Sequence, residues 1–323
     1  MKGIQTGKKR FVFALIILLF LLFFYPFSGP QPVRYVDRAT GQVKTEQIEA
    51  GGWLFWLYNN PVGELSLQAL IKRKWASEWY GKRMDKPESV SKIAPFIRKY
   101  HINMNDFQKK KYTSFNDFFI RKLRPGARKI DTNRNVVISP GDGKILAYDN
   151  IGRQDFIVKG YRFNLRSFLK NDSLARVYSG GSLLLLRLCP YDYHRFHYPV
   201  SGHLSPIVKI KGDYYSVNPI ALRQDIRIFC ENKREYQIIT SKNFGPVLMA
   251  EIGATFVGSI VITHKSDTAV KGQEAGYFKF GGSSVILLFR KGKIQIDKDL
   301  LINTRRHLET EVKMGEAVAK KRL

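Results

Sequence analysis

The feature that most constrains the fold is a series of short β-rich runs that begins after Pro125-Gly126. These runs are rich in Val, Ile, Leu, Tyr and Thr, and turns containing Gly, Asn, Asp and Pro separate them. They are Val136–Ile138, Leu183–Leu188, Tyr236–Thr240, Val247–Ile252, Thr255–Thr263 and Val285–Phe289. Short strands separated by turns favour antiparallel pairing. The sequence therefore predicts a mostly antiparallel β domain, with a candidate linker over residues 122–135 before it.

The part of the chain before this domain has a helical pattern. Asn60-Pro61 is typical of a helix start, and apolar residues recur at intervals of four after it. From Ser89 to about Lys111 the pattern stays helical, with one apolar face. That face consists of Ile93, Phe96, Ile97 and Tyr100. The predicted fold class is α+β, a helical N-terminal region followed by a mostly antiparallel β domain. The final segment, Leu300–Leu323, is interpreted as a strand end followed by a basic tail.

A run of apolar residues, Phe11–Phe27, contains no charged or amide side chain. It is slightly shorter than the about 20 residues that a membrane-spanning helix needs, so a secretory signal peptide competes with an anchor. No small-x-small cleavage site follows the run, and this favours an uncleaved anchor over residues 1–30. Basic residues lie on both sides of the run, so its orientation stays open. We expect a protein of the cell membrane, on a side that the sequence does not determine.

The composition is strongly basic. The chain has 323 residues with 54 Lys and Arg against 27 Asp and Glu, a formal charge of +27, while 44% of it is apolar. Such a chain folds around a core and needs an anionic partner, either nucleic acid or acidic lipid. All four tryptophans, Trp53, Trp56, Trp75 and Trp79, lie in one short stretch among basic residues. This stretch is either an amphipathic helix in lipid head groups or an ordinary helix docked on the core.

Several catalytic motifs are missing from the sequence. It has no Walker loop, no Gly-x-Gly-x-x-Gly after a strand, no His-Glu-x-x-His and no Gly-x-Ser-x-Gly. Cys189 and Cys230 are its two cysteines, and they form neither a Cys-x-x-Cys pair nor a disulfide framework. The sequence therefore gives no support to a nucleotide-binding, zinc-peptidase or ordinary lipase function. No metal site is expected.

Three local patterns contain residues that can carry chemistry. They are Ser139-Pro140-Gly141-Asp142-Gly143-Lys144, Tyr193-His194-Arg195-Phe196-His197-Tyr198-Pro199, and Phe278-Lys279-Phe280-Gly281-Gly282-Ser283-Ser284-Val285. Each has an ordinary structural explanation as a turn, a pair of packed histidines or a hairpin loop. Together they supply an Asp, a His and a Ser, the residue types of a nucleophile, its base and the group that orients the base. Their order along the chain does not establish that they meet.

These segments resemble the phosphatidylserine decarboxylase family of pyruvoyl-dependent proenzymes, which cleave themselves at a Gly-Ser bond. The resemblance runs from about Tyr35 to about Gly315 and is closest to the subgroup with Gly-Gly-Ser at the cleavage point. Ser284 stands where Thr is usual, which keeps a hydroxyl there. Further matching segments are Ser114–Leu123, Tyr214–Pro219, Glu231–Glu235, Val257–Ile260 and Gly276–Ser283.

The resemblance implies self-cleavage between Gly282 and Ser283, within a catalytic domain spanning residues 122–323 that follows a membrane-associating helical region, residues 31–121. The products would be a β chain, residues 1–282, and an α chain, residues 283–323, that stay together as a heterodimer. It assigns Ser283 as nucleophile and source of the pyruvoyl group, with His197 as base and Asp142 as its orienting carboxylate.

For turnover, the resemblance implies that phosphatidylserine in an anionic membrane forms a Schiff base with the pyruvoyl group and leaves as phosphatidylethanolamine. His194 would handle the substrate carboxylate or return a proton to the α-carbon, since the reference pKa of imidazole, about 6.5, lies near working pH. Two other classes stay open: a membrane-tethered binder of polyanions without catalysis, and an Asp-His-Ser hydrolase with Ser283 intact. No pattern typical of nucleic-acid recognition is present, so a nucleic-acid partner is not expected.

Overall fold

The structure is a computed structural model that describes residues 11–17, 20–21, 29–48, 51–71, 74–152, 157–158, 161–254, 260–281 and 283–322. Within these residues no helix is both long enough and apolar enough to cross a membrane. Residues 11–17 are helical, and much of the remaining predicted anchor lies outside the described residues. The membrane anchor therefore stays a prediction.

Helices are concentrated in the N-terminal third and are short elsewhere. The α-helices are Gly51–Asn59, Pro61–Ser66, Lys74–Met84, Ile93–Tyr100, Phe115–Phe119, Leu165–Leu169, Asp172–Tyr178, Pro219–Leu222, Ile228–Glu231 and Lys298–Arg305. A π-helical turn covers Leu67–Ile71, and 3-10 turns cover Pro87–Lys92 and Met104–Asp106. The predicted start at Asn60-Pro61 is confirmed, because the Asn60 side chain accepts hydrogen bonds from the amides of Val62 and Gly63.

Most of the strands lie after residue 122. They are β1 (Arg34–Asp37), β2 (Val43–Thr45), β3 (Val136–Ile138), β4 (Gly143–Tyr148), β5 (Ile157–Val158), β6 (Tyr161–Arg162), β7 (Ser182–Leu188), β8 (Arg195–His197), β9 (Gly202–Leu204), β10 (Val208–Ile210), β11 (Arg234–Ser241), β12 (Gly245–Gly253), β13 (Ile260–Ile262), β14 (Thr268–Ala269), β15 (Glu274–Phe278), β16 (Ser283–Phe289), β17 (Ile294–Ile296), β18 (Glu309–Val312) and β19 (Ala317–Lys321).

Among the described residues, one sheet of 11 strands organises the fold. Its order is β14-β9-β11-β12-β16-β7-β4-β18-β1-β2, with β10 paired to β11. Its pairs are antiparallel except for β1 with β18, which are parallel. Two smaller sheets, β13-β15-β8 and β17-β19-β3, accompany it. The predicted α+β class with a mostly antiparallel sheet is confirmed.

Strand β16 lies in the middle of the large sheet. All seven of its residues, from Ser283 to Phe289, pair with β12 on one side and with β7 on the other. Alternate side chains of a strand point to opposite faces. Val285, Leu287 and Phe289 enter one buried apolar cluster, while Ile286 and Leu288 enter the cluster on the other face. The segment that begins at Ser283 is therefore held on both edges and on both faces.

The N-terminal region packs closely on this sheet. The β1–β2 hairpin extends the large sheet through β18, so the region predicted as helical begins with strands. Leu57 and Leu67 enter one of the two sheet clusters. A third cluster joins the middle helices and holds Met84, Ile93, Phe96, Phe115, Phe118 and Phe119.

Two expectations from the sequence were wrong. The helical pattern predicted to about Lys111 ends at Tyr100, because His101 takes a left-handed backbone with φ of 51° and the chain turns away. The segment predicted as a basic tail forms the helix Lys298–Arg305 and the strands β18 and β19. Strand β19 pairs with β3 and β17, and such distant partners leave no local signal in the sequence.

Candidate active site

The three sequence patterns meet through backbone hydrogen bonds. The amide of His197 donates to the carbonyl of Pro140 over 2.7 Å, which joins the second pattern to the first. The amide of Phe278 donates to the carbonyl of His194 over 2.9 Å, which joins the third pattern to the second. Strands β8 and β15 then run antiparallel side by side. The three patterns are therefore close together in the folded chain, which their order along the sequence did not establish.

Ser283 is the first residue of β16 and is 0% exposed. Among the described residues its Oγ has no hydrogen-bond partner, and the same holds for the neighbouring Ser284. Buried hydroxyls nearly always have a partner, so an orphaned pair marks an unusual site. Gly281 has a φ of 134°, a conformation that favours glycine. The residue between them, Gly282, lies outside the described residues.

His194 lies beside this segment and is fully buried. Its Nδ1 donates to the carbonyl of Asp192 over 3.1 Å, since a carbonyl oxygen can only accept. Its Nε2 therefore carries the lone pair, and no described residue forms a hydrogen bond with it. Burial, together with the charge of Arg121, lowers the pKa of His194 to about 3, although the backbone of Asp192 and of Gly281 acts to raise it. His194 is consequently a neutral imidazole with an uncommitted nitrogen beside the predicted cleavage point.

His197 sits further from Gly281, because β8 and β15 run in opposite directions. Its Nδ1 donates to the carbonyl of Gly272 over 2.9 Å, and its Nε2 accepts from the Tyr193 hydroxyl over 3.1 Å. Burial lowers the pKa of His197, whereas the Gly272 carbonyl and the charges of Glu274 and Asp142 act to raise it. Within the described residues no hydrogen bond joins His197 to Ser283. The structure thus brings His194, rather than His197, alongside the described residues of the predicted cleavage segment, which runs from residue 279 to residue 283.

Asp142 is buried and makes three hydrogen bonds that the sequence did not reveal. Its carboxylate accepts from Arg128 over 2.6 and 3.2 Å and from the amide of Met314 over 2.8 Å. No hydrogen bond links Asp142 to His197 in the part of the chain that the structure describes. Its charge nevertheless reaches His197 and raises the pKa of that imidazole. Asp142 therefore acts on His197 through space and also ties its own loop to the C-terminal segment.

The sequence analysis missed the helix that holds the cleavage segment in place. In the helix Phe115–Phe119, the Asn116 side chain accepts a hydrogen bond from the amide of Phe280 over 2.9 Å. The Phe119 ring lies with its centroid 5.0 Å from Phe280 and 3.9 Å from the His194 ring. The helix thus clamps the segment against His194. The matching segment Ser114–Leu123 contains this helix, but the sequence did not assign a role to any of its residues.

A buried charged network lies behind the site. Arg187 donates to the carboxylates of Glu46 and Glu309, which come from the two ends of the chain. Although burial opposes it, the charge of Arg187 lowers the pKa of Glu46 to about 2. Lys144 completes the network by donating to Cys189, a free thiol. Breaking such a pair leaves an uncompensated buried charge, so the network ties the N-terminal and C-terminal segments to the centre of the sheet.

Comparison with known proteins shows the family of the chain. The profile of the family described as phosphatidylserine decarboxylase matches residues 115–320, more than half of the chain. The chain is 51% identical, over 88% of its length and 97% of the relative, to a phosphatidylserine decarboxylase proenzyme of Fusobacterium nucleatum. It is 45% identical to a protein of the same name from Clostridium botulinum strain Alaska E43, over 90% of its own length.

The chain belongs to the phosphatidylserine decarboxylase family. The family match covers Asp142, both histidines and Ser283 within one aligned region. The relatives are named as proenzymes, a word that denotes a chain processed after synthesis. The resemblance noted in the sequence is therefore confirmed at the level of the family.

Proposed function

We propose that this chain decarboxylates phosphatidylserine to phosphatidylethanolamine, with a pyruvoyl group that it makes by cleaving itself between Gly282 and Ser283. The observation that carries the proposal is the state of Ser283. Among the described residues its buried hydroxyl has no partner, it lies two residues after Gly281, a glycine of positive φ, and it lies near His194, a neutral histidine with a free nitrogen. No hydrogen bond has to be broken before Oγ attacks, and burial excludes competing water.

The cleavage chemistry uses only groups of this chain and one water molecule. Ser283 Oγ passes its proton to a base and attacks the Gly282 carbonyl, so that the peptide C–N bond is replaced by an ester. Removal of the Ser283 α-proton then breaks the ester C–O bond, which releases the Gly282 carboxylate and leaves dehydroalanine. Water adds to this residue and ammonia leaves, which produces the pyruvoyl group.

His197 is the base that we propose for cleavage. Burial lowers the pKa of His197 and Arg195 adds to this, but the charges of Glu274 and Asp142 act to raise it. The charge that acts on His194 is the positive one of Arg121, and no carboxylate of the described residues offsets it there. A proton acceptor for a serine hydroxyl gains from carboxylates nearby, because they stabilise its protonated form. Tyr193 and Gly272 fix the ring of His197 through both of its nitrogens.

His194 is suited to the later reaction at position 283. The residues present fit a pyruvoyl group there, because the start of β16 offers a dry environment beside the free Nε2 of His194. The ketone of such a group, once joined to the substrate amine, supplies an electron sink for the carbon–carbon bond that breaks. The lone pair on Nε2 of His194 can take up a proton during the reaction and pass it to the substrate α-carbon. Phe119 keeps the imidazole facing this position.

The two products of cleavage should remain associated. The α chain, residues 283–323, would begin with β16, which is paired on both edges in the middle of the sheet. It would also carry Glu309, which Arg187 binds, and Met314, whose amide binds Asp142. These contacts support a heterodimer that separates only on denaturation.

We propose that the protein contacts an anionic membrane that contains its substrate. The helix Lys74–Met84 buries Ser77 and Met84 and exposes Trp75 and Trp79, which are 58% and 59% exposed. Indole rings favour the head-group region of a bilayer, and each nearby Lys or Arg adds about 1 kcal/mol on an anionic surface. This supports the head-group alternative for the tryptophan-rich stretch.

Brominated lipids provide a test of this membrane contact. We expect vesicles of phosphatidylglycerol and brominated phosphatidylcholine to quench the tryptophan fluorescence of the full chain, because Trp75 and Trp79 enter the head-group region. Replacing both by Phe should remove most of the quenching while Trp53 and Trp56 still emit. Unchanged quenching in that double variant would show that the helix Lys74–Met84 does not contact the membrane through these two residues.

Asp142→Asn should slow self-cleavage by about a hundredfold, because it removes a charge that supports protonated His197. Denaturing gels of freshly made protein over time would measure the rate. The matched control is Arg128→Met, which removes the partner of Asp142 but keeps the Asp142 charge. Equal slowing in both variants would show that the ion pair matters only for folding of the loop.

One experiment tests the proposed function against the two other classes. Purified protein should run as two fragments on a denaturing gel and should release carbon dioxide from carboxyl-labelled phosphatidylserine in detergent micelles. A single intact chain with salt-sensitive binding of polyanions would support the non-catalytic binder. An intact chain that hydrolyses esters would support the Asp-His-Ser hydrolase.

A further inference from the structure

Arg121 is a buried cation with unused hydrogen-bonding capacity. It follows the helix that clamps the cleavage segment, and it is 3% exposed. Its Nη2 donates to the carbonyls of Tyr191 and Asp192 over 2.8 and 3.0 Å. Its Nε and Nη1 have no acceptor in the part of the chain that the structure describes. Three of the five N–H groups of a guanidinium are therefore unsatisfied.

The surroundings of Arg121 stabilise the cation only in part. Its guanidinium carbon lies 4.4 Å from the centre of the Phe107 ring and 4.9 Å from that of Phe118. No carboxylate of the described residues forms an ion pair with it. Burial lowers the pKa of Arg121 to about 10, which still leaves it protonated at neutral pH. The charges of Asp192 and Asp142 favour the cation without bonding to it. A buried cation with unsatisfied N–H groups is costly, and this points to an anion that comes from outside the chain.

The position of Arg121 connects it to the reaction. The carbonyl oxygen of Asp192 accepts hydrogen bonds from both Arg121 Nη2 and His194 Nδ1, over 3.0 and 3.1 Å. The backbone of Gly281, two residues before Ser283, also acts on this imidazole. His194 is therefore the neighbour that Arg121 and the segment before Ser283 share, and it links Arg121 to a molecule that reacts at position 283.

Phosphatidylserine, the substrate in the proposed function on which this inference rests, carries two anionic groups. Its carboxylate loses its charge as carbon dioxide forms, so a cation bound to it would stabilise the ground state more than the transition state and slow the reaction. Its phosphodiester keeps its charge throughout. A cation bound there holds the substrate without raising the barrier. We infer that Arg121 binds the phosphodiester of the substrate head group.

The test compares Arg121→Gln and Arg121→Lys with the wild type in the matured protein. Loss of a cation that binds substrate and transition state alike raises KM and leaves kcat unchanged. We expect Arg121→Gln to raise KM about 10- to 100-fold with nearly unchanged kcat, in the range of lost charge-assisted hydrogen bonds. Arg121→Lys should recover part of the loss. Both variants should still cleave into two chains.

Direct binding gives a second readout that does not depend on activity. Glycerophosphoethanolamine carries the phosphodiester without a carboxylate, and its binding to the wild type is measured by titration calorimetry. The Arg121→Gln variant should lose this binding. The matched control is Arg234→Gln, because Arg234 is an equally buried arginine whose three nitrogens all donate to backbone carbonyls. That variant should keep the affinity for glycerophosphoethanolamine.

Three outcomes would overturn the inference. Unchanged KM and unchanged binding in Arg121→Gln would show that the free N–H groups hold no ligand. A lower kcat with unchanged KM would make Arg121 a positioning residue for His194 through Asp192. Uncleaved chains in both Arg121 variants would indicate a structural role. A wild type that binds glycerophosphoethanolamine through Arg121 but releases no carbon dioxide would contradict the proposed function while leaving the phosphodiester site in place.

Discussion

Ser283→Ala is expected to leave one intact chain that releases no carbon dioxide from phosphatidylserine. The substitution removes the hydroxyl that attacks Gly282 and also the atoms from which the pyruvoyl group forms, so cleavage and turnover are lost together. Because Ser283 is buried with an unpartnered Oγ, alanine leaves no hydrogen bond broken and little space empty. We expect the fold and thermal stability to stay close to those of the wild type. Denaturing gels, intact mass and release of labelled carbon dioxide measure the three properties.

Ser284→Ala is the matched control for this experiment. Ser284 is equally buried and equally unpartnered, but alternation along β16 places it on the opposite face of the sheet from Ser283. The Ser284→Ala variant should therefore cleave itself and decarboxylate phosphatidylserine. If Ser283→Ala instead produces a short C-terminal fragment with a blocked N-terminus, and Ser284→Ala does not, the cleavage site belongs to Ser284.

The second large effect separates the two histidines. His197→Ala should accumulate the uncleaved chain, because the proposed base for the serine hydroxyl is gone. His194→Ala should cleave into two chains, carry the pyruvoyl group and release carbon dioxide slowly. Each proton transfer contributes about a hundredfold to ten-thousandfold to a rate, so the two losses are large and fall on different steps. Mass spectrometry of the small fragment reports the first step, and carbon dioxide release reports the second.

The structure makes the opposite outcome informative as well. His194 has its free Nε2 beside Gly281, whereas His197 is hydrogen-bonded at both nitrogens. An uncleaved His194→Ala together with a matured His197→Ala would mean that proximity to the cleavage segment decides the base, and the two roles would be reversed. His203→Ala is the control, because His203 is an exposed histidine of β9 outside the site. Normal maturation and turnover in both site variants would reduce the pair to structural histidines.

Much of the fold could be predicted from local patterns. The apolar runs predicted as strands became β3, β7, β11, β12 and β16, because a strand that is buried in a sheet is marked by its own β-branched and aliphatic residues. The helical face of Ile93 and Phe96 is buried as expected. The end of that helix and the C-terminal strands were missed. Their structure depends on partners such as β3 for β19, which the local sequence does not contain.

The sequence by itself determined which residue types the site contains and, through the resemblance, the family to which the chain belongs. Only the tertiary structure decided how these residues are used. Pairing of β8 with β15 places His194, and not His197, beside Gly281. Burial then makes His194 neutral, and it leaves Nε and Nη1 of Arg121 without an acceptor among the described residues. Distant segments come close and water is excluded only when the chain has folded, so neither effect can be predicted from the order of the residues alone.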